Sequence, residues 1–263
     1  MAARVNPESG LLQPGDPPVF ELLCPQGRSP WLFTVDHAGQ AIPARLGDLG
    51  LPAGEIDRHI GWDIGIAGVA RRLAAELDAW TLLQRYSRLV VDCNRPLDSP
   101  TLIVERSDGT EVPANHGLDA AARQARLDAI FHPYHARIVQ ALDQRRAEGR
   151  PTLLAALHSF TPAMGGVARP WHCGVLYNRD PRLAHALRDA LRAEGDLVVG
   201  DNQPYSVSDS SDYAIPVYGE GRRLPHVELE IRQDLIADAA GQQAWAMRLA
   251  RILRAITPPF LDA

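Results

Sequence analysis

The sequence predicts one α/β domain, a three-layer sandwich around a mixed, largely parallel sheet. Three observations lead there. Short apolar runs alternate with longer stretches at helical spacing. No internal repeat or long linker divides the 263 residues, a length that large single α/β domains reach. The composition, 46% apolar and 22% charged, allows a sizeable core.

Taken in chain order, residues 1–18 are rich in Pro and Gly with little periodicity and read as a loose N-terminal arm, leaving 19–263 as the folded domain. Strands are expected at 31–35 (WLFTV), 88–92 (RLVVD), 152–157 (TLLAAL), 174–177 (GVLY) and 226–231 (HVELEI). Helical spacing appears at Leu73 and Leu77, then at Leu127, Ile130, Tyr134, Ile138 and Leu142. It returns at Leu183, Leu187 and Leu191, and at Leu249, Ile252, Leu253 and Ile256. Pro133 falls inside the second pattern and predicts a kinked or split helix. Strands interleaved with such helices imply a sheet covered on both faces. Two stretches, 93–118 and 200–225, lack periodicity and are rich in Pro, Gly, Asp and Ser. Loops of that length in a compact domain serve a site or move.

Charge and composition exclude several function classes. A formal charge of −5 argues against the positive field that nucleic acid or an anionic membrane would require. All 27 basic residues are arginine, which rules out lysine nucleophiles and Schiff bases. Cys24, Cys93 and Cys173 form no CxxC pair, so neither a disulfide framework nor a cysteine zinc knuckle is expected. No basic segment leads into an apolar stretch at the N-terminus, and no run approaches a membrane span, so the cytoplasm is the expected location. The sequence carries no signature of oligomeric state.

Ligands in open α/β sheets bind outside the carboxyl ends of strands. The first expected strand runs into Asp36-His37-Ala38-Gly39, the second into Cys93-Asn94-Arg95-Pro96 and the third into His158-Ser159-Phe160. His37 and His158 thus stand where a metal could be held, although either alone reads equally as a hydrogen-bonded loop histidine. Asp63, just before a helix, is either its N-cap or a third ligand. Asp36 is a further candidate, or orients a histidine from outside. Glu228 and Glu230 share one strand face with Arg232, which makes them an ion-paired cluster or places a general base there. Arg88 and Arg95 flank a segment that also carries Asp92. One of the two is expected in a salt bridge, and the other could anchor an anionic substrate through its planar fork. His132, His135 and His172 read as structural.

Several ordered segments together resemble the N-formylglutamate amidohydrolase family. They include Asp36-His37-Ala38-Gly39, the His59-to-Gly65 stretch and Tyr86-Ser87-Arg88-Leu89-Val90-Val91-Asp92-Cys93-Asn94-Arg95-Pro96. Pro133-Tyr134-His135, His158-Ser159-Phe160-Thr161-Pro162, Arg169-Pro170-Trp171, Gly200-Asp201-Asn202 and Glu230-Ile231-Arg232-Gln233-Asp234-Leu235 follow in the same order. The resemblance, which spans about 31–256, implies a distant kinship to zinc carboxypeptidases and their α/β sandwich. It implies that His37 and His158 are metal ligands and Glu230 the general base. Asn94 and Arg95 would grip the substrate carboxylate, and Arg88 would join the metal in stabilising the oxyanion. The carboxypeptidase ligand glutamate three residues after the first histidine is Gln40 here, a neutral amide, so Asp63 is assigned as third ligand. Zinc is the expected cofactor, with manganese, iron, cobalt and nickel compatible with the same donors. The implied reaction is deformylation of an N-acyl amino acid. Another N-acyl amino acid or a short peptide as substrate, or a metal-binding or small-ligand-binding protein without turnover, are the alternatives.

Overall fold

The computed structural model describes residues 10–261, so the first nine residues of the expected arm lie outside the described residues. Residues 10–18 form turns without regular structure, yet Leu11 and Leu12 pack on the core and Pro17 O accepts the Tyr86 hydroxyl.

A seven-stranded sheet forms the middle layer. Its strands are β1 (Phe20–Leu23), β2 (Trp31–Val35), β3 (Trp80–Gln84), β4 (Leu153–Phe160), β5 (Cys173–Leu176), β6 (Val199–Asp201) and β7 (His226–Arg232). In space they run β1-β3-β2-β4-β7-β5-β6. Pairings β3–β2, β2–β4, β4–β7 and β5–β6 are parallel, while β1–β3 and β7–β5 are antiparallel. The sheet is therefore mixed and mostly parallel.

Alternation along each strand sends side chains into two separate cores. Trp31, Phe33, Val35, Leu153, Ala155, Leu157, Val227, Leu229 and Ile231 face one side. There they meet α1 (Ile66–Leu77), and two later helices, Arg182–Ala193 and Ala239–Ile256, pack in the same layer. Leu32, Leu154 and Ala156 face the other side, against Tyr134, Ile138 and Leu142. No helix among the described residues is long and apolar enough to cross a membrane.

The helical pattern around Pro133 is split. A helix, α2 (Ala120–Arg126), passes through wider π-helical turns at Leu127–Phe131 into α3 (His132–Ala147). Pro133 sits in the first turn of α3, where a missing N–H breaks no hydrogen bond of the helix that follows. The two remaining helices are α4 (Arg182–Ala193) and α5 (Ala239–Ile256).

The expected strand at 88–92 does not form. Residues 88–90 make a turn, and the strand in this region is the earlier Trp80–Gln84. Leu89, Val90 and Val91 are fully buried in the second core, which explains why they read as strand. Their backbone is satisfied by side chains instead of a ladder. Asn115 Nδ2 donates to Leu89 O at 2.9 Å, and the buried Arg126 donates to Val90 O at 2.9 Å and to Asn115 Oδ1 at 2.7 Å. Long-range polar contacts of this kind leave no local trace in a sequence.

Candidate active site

The site lies at the carboxyl-terminal halves of β4 and β7 and just beyond β2, in a cavity of about 690 Å³. Strand register builds its floor. Glu230 is the direct neighbour of His158 across β7–β4, and on its other side it faces Gly174 of β5. A Cβ at Gly174 would stand 1.9 Å from Gln203 O, so the bare glycine lets the 202–206 loop close over the site. Gly39 plays the same part beside His37, since a Cβ there would meet Arg85 O at 2.1 Å.

His37 leaves β2 two residues past its end, and its carbonyl accepts Asp63 N at 2.9 Å. This brings the Asp63 carboxylate between the two histidines. Its Oδ2 lies 3.0 Å from His158 Nδ1 and 3.5 Å from His37 Nδ1, and accepts Ser159 N at 3.1 Å. The N-cap of α1 is Gly65, so Asp63 does not cap that helix. The imidazole rings meet edge to face at 4.9 Å. Ligand atoms of His37, Asp63 and His158 all lie within 4.8 Å of one another, and all three residues are buried.

The opposite ring nitrogens also face carboxylates. His37 Nε2 is 2.7 Å from Asp92 Oδ1, and His158 Nε2 is 3.5 Å from Asp36 Oδ2. Asp36 therefore stands against the distant histidine rather than its sequence neighbour. Asp92 is fixed in turn by Arg88 at 3.0 Å, and Arg88 reaches Asp63 Oδ1 at 3.5 Å.

These residues fit a divalent cation. Tetrahedral zinc sites, with ligands at about 2.0–2.2 Å, space their N and O donors at roughly 3.4 Å, close to the separations of Asp63 from the two Nδ1 atoms. His37 Nδ1 has no hydrogen-bond partner despite being buried. Carboxylates behind both rings are the usual outer support of histidine ligands. Gln40, in contrast, donates to Asp57 at 3.0 Å and takes no part in the cluster.

Electrostatics around the cluster are strongly coupled. Burial pushes Asp63 upward, but the neighbouring His37 and His158 outweigh it and hold the carboxyl well below the usual range. Burial raises Glu228 to about 8, helped by Asp212. Burial likewise raises Glu230 to about 8, opposed by His158 and reinforced by Asp63. Arg232 does not neutralise the pair, because it binds Asp234 at 2.8 Å. One oxygen of each glutamate, Oε2, has no hydrogen-bond partner among the described residues.

A pH dependence of stability follows for the metal-free protein. A carboxylate with a raised folded pKa binds its proton more tightly folded than unfolded. The contribution of Glu228 and Glu230 is fully present below about 4.5 and is lost as pH rises through about 8. Asp63 acts oppositely and is lost only in acid. The thermal midpoint of the metal-free protein is expected to fall between pH 5 and pH 9, with a shallower slope in Glu228→Gln. Identical slopes in the two proteins would remove Glu228 from this account.

The structure places Asn94 and Arg95 on the buried loop after β3, not at a strand end. Asn94 Oδ1 accepts Tyr213 N and Ala214 N at 3.0 and 3.1 Å, and its amide donates to Asp212. Arg95 donates to Ser211 O and lies 3.7 Å from Asp92. Both residues line the cavity, as do Arg88 and Glu230. His135 is buried against Tyr218, held neutral with a pKa lowered to about 3 by burial, while His172 accepts Val198 N. His132 is half exposed and lies outside the cluster.

Four further wall residues had no role assigned from the sequence: His59 and Asn202 stood only within the family-like segments, and Tyr205 and Asp212 only within the aperiodic 200–225 loop. Asp92 was visible only as an arginine partner, and its contact with His37 spans 55 positions.

An N-formylglutamate deformylase of Pseudomonas aeruginosa is 26% identical over 90% of this chain and 93% of its own length. A second, from Pseudomonas putida, is 29% identical over 51% of this chain and 53% of its own. The crystal structure of an Agrobacterium tumefaciens gene product superposes with a TM-score of 0.91 at 34% identity, covering 95% of this chain and 98% of that one. An N-formylglutamate amidohydrolase from Ralstonia eutropha shares the fold, with a TM-score of 0.72 at 20% identity over 92% of this chain and 98% of its own. The family profile described as N-formylglutamate amidohydrolase matches residues 29–237, which holds all of β2, β4 and β7 and the whole His37–Asp63–His158 cluster. With that much of the chain and all of its buried cluster inside the match, the protein belongs to the N-formylglutamate amidohydrolase family.

Proposed function

We propose that the protein hydrolyses the formyl amide of N-formylglutamate, with a divalent metal held by His37, Asp63 and His158 and Glu230 as general base. The observation that carries this reading is a buried His–Asp–His cluster with an unpartnered carboxylate on the adjacent strand, in register with His158. When bound, the metal, zinc foremost, would supply Lewis acidity toward water and the amide carbonyl.

The chain's own residues do the rest. Glu230, raised to about 8 by burial in the metal-free chain and drawn back to its ionised form by a cation at the adjacent cluster, takes a proton from the attacking water as its oxygen adds to the formyl carbon. Arg88, anchored by Asp63 and Asp92, presents its guanidinium to the developing oxyanion. As the C–N bond breaks, Glu230 returns the proton to the leaving amine, so formate and glutamate depart with atoms balanced. Arg95 binds the α-carboxylate, and Asn94, by holding residues 212–214, fixes the loop against which that carboxylate rests. Asp92, hydrogen-bonded to His37 Nε2, keeps that imidazole turned with Nδ1 toward Asp63, and Asp63 in turn holds His158 through its Nδ1.

The cavity volume also supports a second reading, a larger acyl group or a short peptide. Zinc-supplemented protein is expected to release formate from N-formylglutamate, to lose that activity on chelation and to regain it with metal. Release of acetate or an amino acid instead, across a panel of N-acyl amino acids and dipeptides, would shift the substrate. Tight metal binding without hydrolysis of any member would leave a binding protein.

A further inference from the structure

Arg169 belongs to the Arg-Pro-Trp segment, to which the proposed chemistry assigns no task. It follows the short hairpin formed by 163–164 and 167–168, of which Met164 lines the cavity. Its guanidinium lies over the rings of Phe160, 5.9 Å away, and Tyr205, 4.8 Å away. Phe160 ends the strand that carries His158. Arg169 Nη1 donates to the Tyr205 hydroxyl at 2.8 Å, and Nη2 lies 2.8 Å from Met164 Sδ. Tyr205 and Met164 both line the cavity. The backbone is pinned as well, since Arg169 N donates to Pro162 O and its carbonyl accepts Arg232 Nη1.

An inventory of charge singles this residue out. Of the arginines in the cavity wall, Arg88 pairs with Asp63 and Asp92, Arg95 lies beside Asp92 and Arg106 pairs with Glu111 at 3.3 Å. Arg169 has no carboxylate within 4 Å among the described residues. Two of its five N–H groups are engaged, one of them by a thioether, a weak acceptor. Three N–H groups, one each on Nε, Nη1 and Nη2, are left for an anion. Its positive charge is felt at Glu230 and His59, both in the wall. Elsewhere the wall carries Asp108, Asp212 and Glu228, which would repel an acidic group.

We propose that Arg169 binds the side-chain carboxylate of an acidic N-acyl amino acid and so sets the preference for glutamate over glutamine. This rests on the amidohydrolase reading above, with Arg95 holding the α-carboxylate. Arg95 in the cavity wall, and Arg169 held against Tyr205 and Met164 of that wall, would accept a dicarboxylate in one orientation, with the formyl group toward His37 and His158.

The test compares kcat/KM for N-formylglutamate and N-formylglutamine, which match in size and differ in charge. Taking the ratio within one sample cancels any misfolded fraction. Wild type is expected to favour the acid. Arg169→Gln is expected to lower the ratio by about 10- to 100-fold, mostly through KM, and Arg169→Lys to restore part of it. Equal wild-type rates on the two substrates would overturn the assignment and leave deformylation standing. So would an equal loss on both in Arg169→Gln, or a collapse of the ratio in Arg106→Gln instead. Absence of formate from either substrate would overturn the deformylase reading itself, and this assignment with it.

Discussion

Glu230→Gln is expected to lower formate release by roughly 100- to 10,000-fold, the range of a lost general base. The physical case is local. Glu230 is 6% exposed, lines the cavity, and keeps one oxygen without a partner. Glutamine matches its shape but cannot accept and return a proton. His37, Asp63 and His158 are untouched by the change, so metal content is expected to stay near wild type. Formate assay and metal analysis on the same preparation separate the two effects. Near-wild-type turnover would move the base elsewhere. Glu228 is the alternative, two residues earlier on the same strand face and near Asp212, so Glu228→Gln serves as the paired variant.

The second large effect concerns Asp63. Asp63→Asn removes the negative charge that lies between two imidazoles and beside Arg88. Loss of an outer-shell partner alone weakens metal binding by about 10- to 100-fold, and removal of a direct ligand is expected to exceed about 100-fold. Competition with a chromophoric chelator measures this without reference to turnover. Asparagine still accepts Ser159 N, so the link between the 63–64 segment and β4 survives. Wild-type affinity in the variant would show that Asp36 or Asp92 supplies the third donor. The two variants thus diverge: one keeps metal and loses turnover, the other loses both.

The interior strands β2, β4, β5 and β7 were legible as short apolar runs bounded by polar or turn residues. β2 and β7 read directly from WLFTV and HVELEI, and β4 was found but extends three residues further, so that His158 lies within it rather than after it. The alternation in HVELEI also placed Glu228 and Glu230 on one face, which the register with β4 turns into the floor of the site. Three strands were not anticipated. Phe20–Leu23 is a half-buried edge, Trp80–Gln84 directly follows a helix, and Val199–Asp201 is only three residues long. The run at 88–92 misled because burial alone gives loop and strand the same apolar composition.

The two histidines show the same division. By itself, the sequence determined that the chain is an α/β protein, and that His37 and His158 stand beyond or at the ends of apolar strands beside polar loops. Its ordered motifs identified the family resemblance. Only the tertiary structure decided that Asp63 leaves α1 uncapped and lies between both Nδ1 atoms, that Asp92 hydrogen-bonds His37 Nε2 while Asp36 lies 3.5 Å from His158 Nε2, and that Arg232 pairs with Asp234 instead of the glutamates. The reason is distance along the chain. Propensity and periodicity act over a few residues, whereas these contacts to the two histidines join side chains 26 to 122 positions apart, brought together by the parallel strands β2, β4 and β7, whose carboxyl ends lie at the same end of the sheet.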